Sequence, residues 1–180
     1  MSEARLLSRV MRVEAIPRDG QVVAIEATPA ERESLASFCQ LPAIAALTAT
    51  LRVEPWGRGG ARVSGVVHGE VTQTCIVSLD PFPATVDEEV DVRFAPQTAA
   101  KSGSAATNEA QTLSLADEDE PDPIVDGTID LGALTAEFLA LGLDPYPRKP
   151  GVAFEAAHAR SEPTDSPFAA LLQRDKRGHE

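Results

Sequence analysis

Apolar and polar residues alternate with a period of two in the stretches 47–54 and 85–94, and between them 61–67 and 70–79 continue in strand-favouring residues across His68-Gly69. Only Glu88 interrupts the apolar face of the stretch 85–94. Such alternation is typical of strands that bury one face and expose the other. The pattern therefore predicts an antiparallel meander of three or four strands, with a barrel-like arrangement as one possible form.

Two shorter stretches near the N-terminus, 8–16 and 21–26, also favour strands. The residues between them, Pro17-Arg18-Asp19-Gly20, are a turn signal. Because neighbouring strands joined by a short turn usually pair, the simplest prediction is a hairpin.

Two segments change to the helical period. In the first, Thr28-Pro29-Ala30-Glu31 has the residues of a capping box, which predicts a helix that begins at Pro29 and ends before Pro42. In the second, Asp130 is the expected N-cap and Gly142 closes the helix. The expected apolar positions are Leu35, Ala36 and Phe38 in the first helix and Leu131, Leu134, Phe138 and Leu141 in the second.

The remaining segments lack a periodic pattern. Residues 97–124 combine small polar residues with an acidic, proline-containing run, a composition that cannot offset the entropy cost of ordering. We therefore expect an α+β fold: a mainly antiparallel β-sheet with two packed helices in one domain over residues 1–150. A long disordered acidic loop interrupts it at about 97–124. A flexible C-terminal tail over residues 151–180 follows, with a short helix around Pro167-Phe168-Ala169.

Charge is concentrated in one part of the chain. The net charge is −12, and residues 102–147 carry ten acidic side chains and neither Lys nor Arg. This excess of negative charge disfavours a large direct contact with nucleic acid and favours a positively charged protein partner.

Candidate chemistry is sparse. Cys39 and Cys75 have no cysteine or histidine at metal-ligand spacing, and no nucleotide, metal or catalytic motif occurs. We therefore predict no catalytic residue, no cofactor and no metal, and not an enzyme. A remote alternative is a thiol-dependent enzyme with Cys75 as nucleophile and His68 as its base. No apolar run is long enough to span a membrane, so a cytoplasmic location is expected.

Three pieces in order carry a family resemblance: 71–79 leading to Phe94-Ala95-Pro96, then Ile129-Asp130-Leu131 with Glu137, then Ser166-Pro167-Phe168-Ala169 with Leu171. They resemble the YceD family of large ribosomal RNA subunit accumulation proteins. The resemblance implies a factor without catalytic activity that is needed for normal accumulation of 23S ribosomal RNA. Many members carry Cys-x-x-Cys where this chain has Cys75 and Ser78, so a metal or redox role is doubtful here.

The acidic loop suggests how such a factor binds. Candidate contacts to a basic ribosomal protein or assembly intermediate are the acidic and apolar residues Asp117, Glu118, Asp119, Glu120, Asp122, Asp130, Glu137, Phe168 and Leu171. Candidate contacts to 23S ribosomal RNA itself are Arg52, Arg58 and Arg62. Purely structural interpretations of these residues stay open: Asp130 as a helix cap, Glu137 as a solvated charge, the acidic run as a linker, and 56–60 as a glycine-rich turn. An acidic scaffold for an unrelated basic protein is the alternative function.

Overall fold

The computed structural model of the chain describes residues 6–96 and 121–152. Within these residues lie seven strands and two helices: β1 (Val10–Arg12), β2 (Gln21–Glu26), α1 (Pro29–Phe38), β3 (Ala43–Trp56), β4 (Gly60–Thr74), β5 (Pro81–Pro96), β6 (Asp122–Ile124), β7 (Thr128–Asp130) and α2 (Leu131–Leu141). A single 3-10 turn, Val13–Ala15, follows β1. The predicted α+β class is confirmed.

The main sheet has the strand order β2-β3-β4-β5-β6. The strands β3 to β5 form the predicted antiparallel meander, β2 adds to it beside β3, and β6 pairs with β5 in the parallel direction. In the part of the chain that the structure describes, β2 and β6 are separate edges of an open sheet. The barrel-like alternative is therefore wrong.

The long strands follow the alternation closely. In β4 the odd-numbered residues Val63, Val67 and Val71 are buried, while the even-numbered ones face outward. The strand runs unbroken across Gly69 but ends at Thr74, so the expected continuation to residue 79 is wrong. Residues 75–80 instead form a turn, in which the amide of Cys75 donates to the carbonyl of Asp80 over 2.9 Å.

The predicted N-terminal hairpin is also wrong. The turn at Pro17 to Gly20 is present, since the Gly20 amide donates to the Pro17 carbonyl at 2.9 Å. However, β1 pairs with β7, and β2 pairs with β3. The physical reason is that a strand pairs with whichever strand edge completes the core. For β1 that edge belongs to β7, a three-residue strand far along the chain. Strands that are neighbours in sequence often pair with each other, but they do not have to.

Helix α1 begins as predicted. The Thr28 hydroxyl accepts the Glu31 amide at 3.3 Å, and the Glu31 carboxylate accepts the Thr28 amide at 2.8 Å, so the capping box is complete. Leu35 and Ala36 are buried among core residues, and α1 packs against β3. Phe38, expected to be apolar core, is 70% exposed.

Helix α2 packs on β4 and β5, as predicted. A side-chain carbon at Gly69 would lie 2.6 Å from Leu139, so the glycine allows the helix to approach the sheet closely. The predicted apolar stripe is correct at its N-terminal end, where Leu131 and Leu134 are buried. It is wrong at its C-terminal end: Leu141 is 70% exposed, and Leu139 is buried instead. Helix α2 starts directly from β7, and this orientation turns Leu139 toward the sheet.

A strand also lies within the range expected to be a loop. Asp122, Pro123 and Ile124 pair with residues 94–96 of β5, so the predicted loop boundary at 124 is wrong. Ile124 is buried, and this burial stabilises the added strand. Residues 97–120 and 153–180, which include the rest of the predicted loop and the predicted tail helix, lie outside the described residues.

Candidate functional site

The acidic segment rejoins the body at the edge of the main sheet. Asp122 lies opposite Phe94 in the β5–β6 pair and is exposed. Four other candidate partner contacts, Asp117, Glu118, Asp119 and Glu120, fall outside the described residues but directly precede this strand in sequence. The pairing of β6 with β5, here called the anchor, therefore places the residue at which any acidic arm joins the body beside the C-terminal end of β5.

The outer face of β4 and β5 carries more negative charge. Asp87, Glu89 and Asp91 alternate along β5 on the side away from the helices, and Glu70 lies on the same face of β4. Glu70 and Glu89 form no ion pair with any residue that the structure describes. The outer face is thus anionic along most of β5, while Arg62 and Arg93 lie on it next to the anchored strand.

Two of these carboxylates have a cationic or titratable neighbour. Arg62 donates two bonds to Asp91, at 2.8 and 2.7 Å. This contact lowers the pKa of Asp91 and raises the pKa of Arg62. His68 Nδ1 lies 2.6 Å from an oxygen of Asp87, and both side chains are exposed.

The three candidate RNA contacts lie near one end of the sheet, but two of them are occupied. Arg52 donates to Glu54 at 2.7 Å, and Arg62 is held by Asp91 as described above. Arg58 lies exposed in the turn between β3 and β4 and forms no ion pair with the described residues. The predicted turn at 56–60 is confirmed, and Arg93 lies over the Trp56 ring at 5.8 Å.

Asp130 acts as the helix cap. One carboxylate oxygen accepts the amides of Gly132 and Ala133 at 3.0 and 3.1 Å, and the amide of Arg9 at 2.7 Å. The other accepts the Ser8 hydroxyl at 2.6 Å. Burial raises the pKa of Asp130, but these hydrogen bonds outweigh burial and the pKa is lowered. A carboxylate with this many internal donors has little capacity left for a partner.

Glu137 is exposed and lines a feature that the sequence did not reveal. An apolar groove of about 560 Å³ lies between α1 and α2, next to the N-terminal residues of the described chain. Its walls include Leu7, Leu35, Phe38 and Leu141. The exposed Phe38 and Leu141 are the residues that the sequence assigned to the core.

Cys75 has an unusual setting for a buried thiol. Its side chain is fully buried, and its sulfur accepts the amides of Val77 and Ser78 at 3.4 and 3.5 Å. The backbone amide of Lys149, together with the backbone and hydroxyl of Ser78, lowers the pKa of Cys75 to about 7. The predicted small buried residue is therefore surrounded by polar donors, in a turn rather than on a strand.

The thiol-dependent alternative does not assemble around Cys75. Six residues of β4 separate it from His68, which corresponds to roughly 20 Å along the chain. His68 lies on the outer sheet face, whereas Cys75 is buried below the end of β4. Among residues 6–96 and 121–152, no group of three or more His, Cys, Asp or Glu side chains could hold a metal ion.

The last two candidate partner contacts, Phe168 and Leu171, lie outside the described residues. Within the described part of the chain, neither helix is long and apolar enough to cross a membrane.

Comparison with known proteins gives one finding. The family described as "Large ribosomal RNA subunit accumulation protein YceD" matches residues 63–173, which include most of β4, all of β5, the acidic segment and α2. No curated protein and no solved structure matches the chain. The match confirms the family resemblance and covers more than half of the sequence.

Proposed function

The chain belongs to the YceD family of large ribosomal RNA subunit accumulation proteins, and we propose that it supports 23S ribosomal RNA accumulation by binding a basic component of the assembling large subunit. The proposed binding element is the acidic arm of residues 117–122 together with the anionic outer face of β4 and β5. In this proposal the protein acts in the cytoplasm and without catalysis. The separation of His68 from Cys75 supports the non-catalytic part.

The negative charge of the arm supports a positively charged partner. Arm residues 117–120 begin immediately before an exposed, anchored strand, and Glu70 and Glu89 add to the same side of the body. The clustered charges of the arm attract a positively charged surface over about one Debye length, roughly 8–10 Å in physiological salt. Ribosomal proteins present such surfaces, so a basic ribosomal protein fits this edge.

Direct RNA contact is the less favoured form. A chain with a net charge of −12 repels phosphates, and both Arg52 and Arg62 already neutralise carboxylates. Arg58 alone has no ionic partner among the described residues. One arginine in a glycine-rich turn is too little for the multiple phosphate contacts on which RNA affinity depends.

The test is co-sedimentation of the full chain with large-subunit precursors in gentle gradients. The arm variant carries Asp117→Asn, Glu118→Gln, Asp119→Asn and Glu120→Gln. A matched control carries Glu14→Gln, Asp19→Asn, Glu26→Gln and Glu33→Gln, which remove the same charge from exposed positions outside the proposed binding element. Exposed charge pairs contribute about 0.2–1 kcal/mol each, so we expect the arm variant to bind roughly tenfold more weakly or worse.

The outcomes separate the alternatives. Weaker binding of the arm variant alone, with a steep loss of wild-type binding as salt rises, supports the proposal. Equal binding of the wild type, arm variant and control at physiological salt would refute the role of the arm. Recovery of the protein only with a basic partner unrelated to large-subunit precursors would favour the acidic-scaffold function instead.

A further inference from the structure

The groove between α1 and α2 is an apolar surface without a covering element in the described structure. Leu7 and Leu35 form its buried part, and Phe38 and Leu141 form its lips, each 70% exposed. Its volume of about 560 Å³ lies within the range of sites that take several large side chains. Two large apolar side chains exposed around one concavity indicate a surface that binds an apolar ligand.

We propose that this groove binds the apolar stretch Phe168–Leu172 of the chain's own C-terminal segment. Phe168, Leu171 and Leu172 stand at positions i, i+3 and i+4, which place three large side chains on one side of a short helix. Such spacing matches the helix-in-groove mode of recognition. The inference does not depend on the proposed function, because it concerns the free protein.

Composition favours this segment over the other two that lie outside the described residues. Residues 1–5 contain one large apolar side chain, Met1. Residues 97–120 contain Leu113 and Leu115, but their five acidic residues are accompanied by one basic residue, whereas residues 153–180 carry five acidic and four basic residues. The C-terminal segment holds the densest apolar cluster of the three, and the basic residues Arg174, Lys176 and Arg177 follow it.

Charge complementarity points the same way. The charged residues that line the groove are Asp130 and Glu137, and neither Lys nor Arg lines it. Asp130 is occupied by its capping bonds, but Glu137 is exposed and forms no ion pair with the described residues. The rim thus offers an available carboxylate to a segment with basic residues, and it would repel the acidic one.

The geometry permits the docking. The described chain ends at Val152, just after Lys149 contacts Asp80 at 3.6 Å. Fifteen residues lie between Val152 and Phe168, so this linker spans up to roughly 50 Å, about the length of β5, the longest of the described strands. The tether also gives the segment a high local concentration, on the order of millimolar, so even a weak contact is occupied.

The test is hydrogen exchange of the full chain, read at residues 168–172 and at α2. The tail variant is Leu171→Asp, and its matched control is Gln173→Asp, which adds the same charge off the apolar positions. The groove variant is Ala140→Gln, which fills an exposed groove position with a polar group, and its control is Thr50→Gln on the outer sheet face.

We expect protection of residues 168–172 in the wild type and both controls. The tail and groove variants should each exchange about tenfold faster there, because a large apolar contact is lost. Absence of wild-type protection, or protection unchanged in both variants, would overturn the proposal. So would protection that rises with protein concentration together with a dimeric mass, since a second copy would then occupy the groove.

Discussion

Replacing Asp130 with alanine tests the link between the N-terminal residues and α2. The substitution removes the acceptor of four hydrogen bonds, two from the first turn of α2 and two from Ser8 and Arg9. The chain passes from β7 into α2 at this residue, and β1 pairs with β7 alongside it. The Asp130 side chain therefore caps α2 and also holds the two residues that precede β1 in place.

The expected cost follows from these contacts. Loss of an N-cap acid costs about 0.5–2 kcal/mol. The Arg9 amide and the Ser8 hydroxyl lose a charged acceptor in a half-buried place, and each such loss costs about 1 kcal/mol or more. We expect Asp130→Ala to lower the free energy of unfolding by about 2–4 kcal/mol. Since small domains have about 5–15 kcal/mol in total, the variant should still fold.

The measurement is urea unfolding followed by circular dichroism at pH 7. With a slope of about 2 kcal/mol per molar, the midpoint should fall by roughly 1–2 M. Glu137→Ala is the matched control, because it removes an exposed charge from the same helix and should change the midpoint little. Asp130→Asn keeps the shape of the side chain and should lie between the wild type and alanine. A loss below about 0.5 kcal/mol in Asp130→Ala would refute the capping argument.

The pH dependence gives an independent check. The pKa of Asp130 is lowered in the folded protein, so its contribution is fully present above the unfolded pKa, about 3.9. The contribution is lost as pH falls from there through the lower folded value. The difference in unfolding free energy between the wild type and Asp130→Ala should therefore be constant near neutrality and shrink below about pH 4. A difference that stays the same down to pH 3 would contradict this sign.

Three further predictions concern other parts of the body. Gly65→Ala should destabilise the protein by several kcal/mol in urea unfolding, because its side-chain carbon would overlap a backbone carbonyl of β3; full stability would refute this contact. In the native protein Cys39 should react with a thiol reagent before Cys75, because Cys75 is fully buried whereas Cys39 is partly exposed. This order is expected although burial raises the pKa of Cys39 and the pKa of Cys75 is about 7. Faster labelling of Cys75 would show that its turn opens. Glu31→Gln should lose about 1 kcal/mol at pH 7, since Arg9 and the capped amide hold the pKa of Glu31 at about 2; this loss should persist above pH 4.3 and vanish as pH falls toward 2.

The regular part of the fold was predictable because one period extends over many residues. β3, β4 and β5 each have 14 residues or more, and their alternation fixes both the strand and its buried face. The caps at Thr28 and Asp130 were also visible, since their side chains bond to amides two or three residues away. Local chemistry and long periods are both properties of the sequence alone.

The errors occur where a short element depends on a distant partner. β1, β6 and β7 have three residues each, too few for a period to appear, and they are strands only because another strand edge lies beside them. The ends of α1 and α2 are a related case: Phe38 and Leu141 lie at helical apolar spacing, but both are exposed at the groove. The sequence therefore could not predict the groove, although it contained every residue that lines it.

The acidic arm and the C-terminal segment start from opposite ends of β5. Asp122 is anchored beside Phe94 near the end of this strand, whereas Asp80, just before its beginning, contacts Lys149 close to where the described chain ends. Sixteen residues of strand separate the two points by up to roughly 50 Å. Docking of residues 168–172 between the helices would hold the basic residues that follow them away from the arm, so the arm would stay available to a basic partner. Neutralising residues 117–120 should then leave tail protection unchanged, whereas Leu171→Asp, which releases the tail, should weaken co-sedimentation because the freed basic residues can reach the arm. If tail protection fell when the arm was neutralised, the tail would bind the arm instead of the groove.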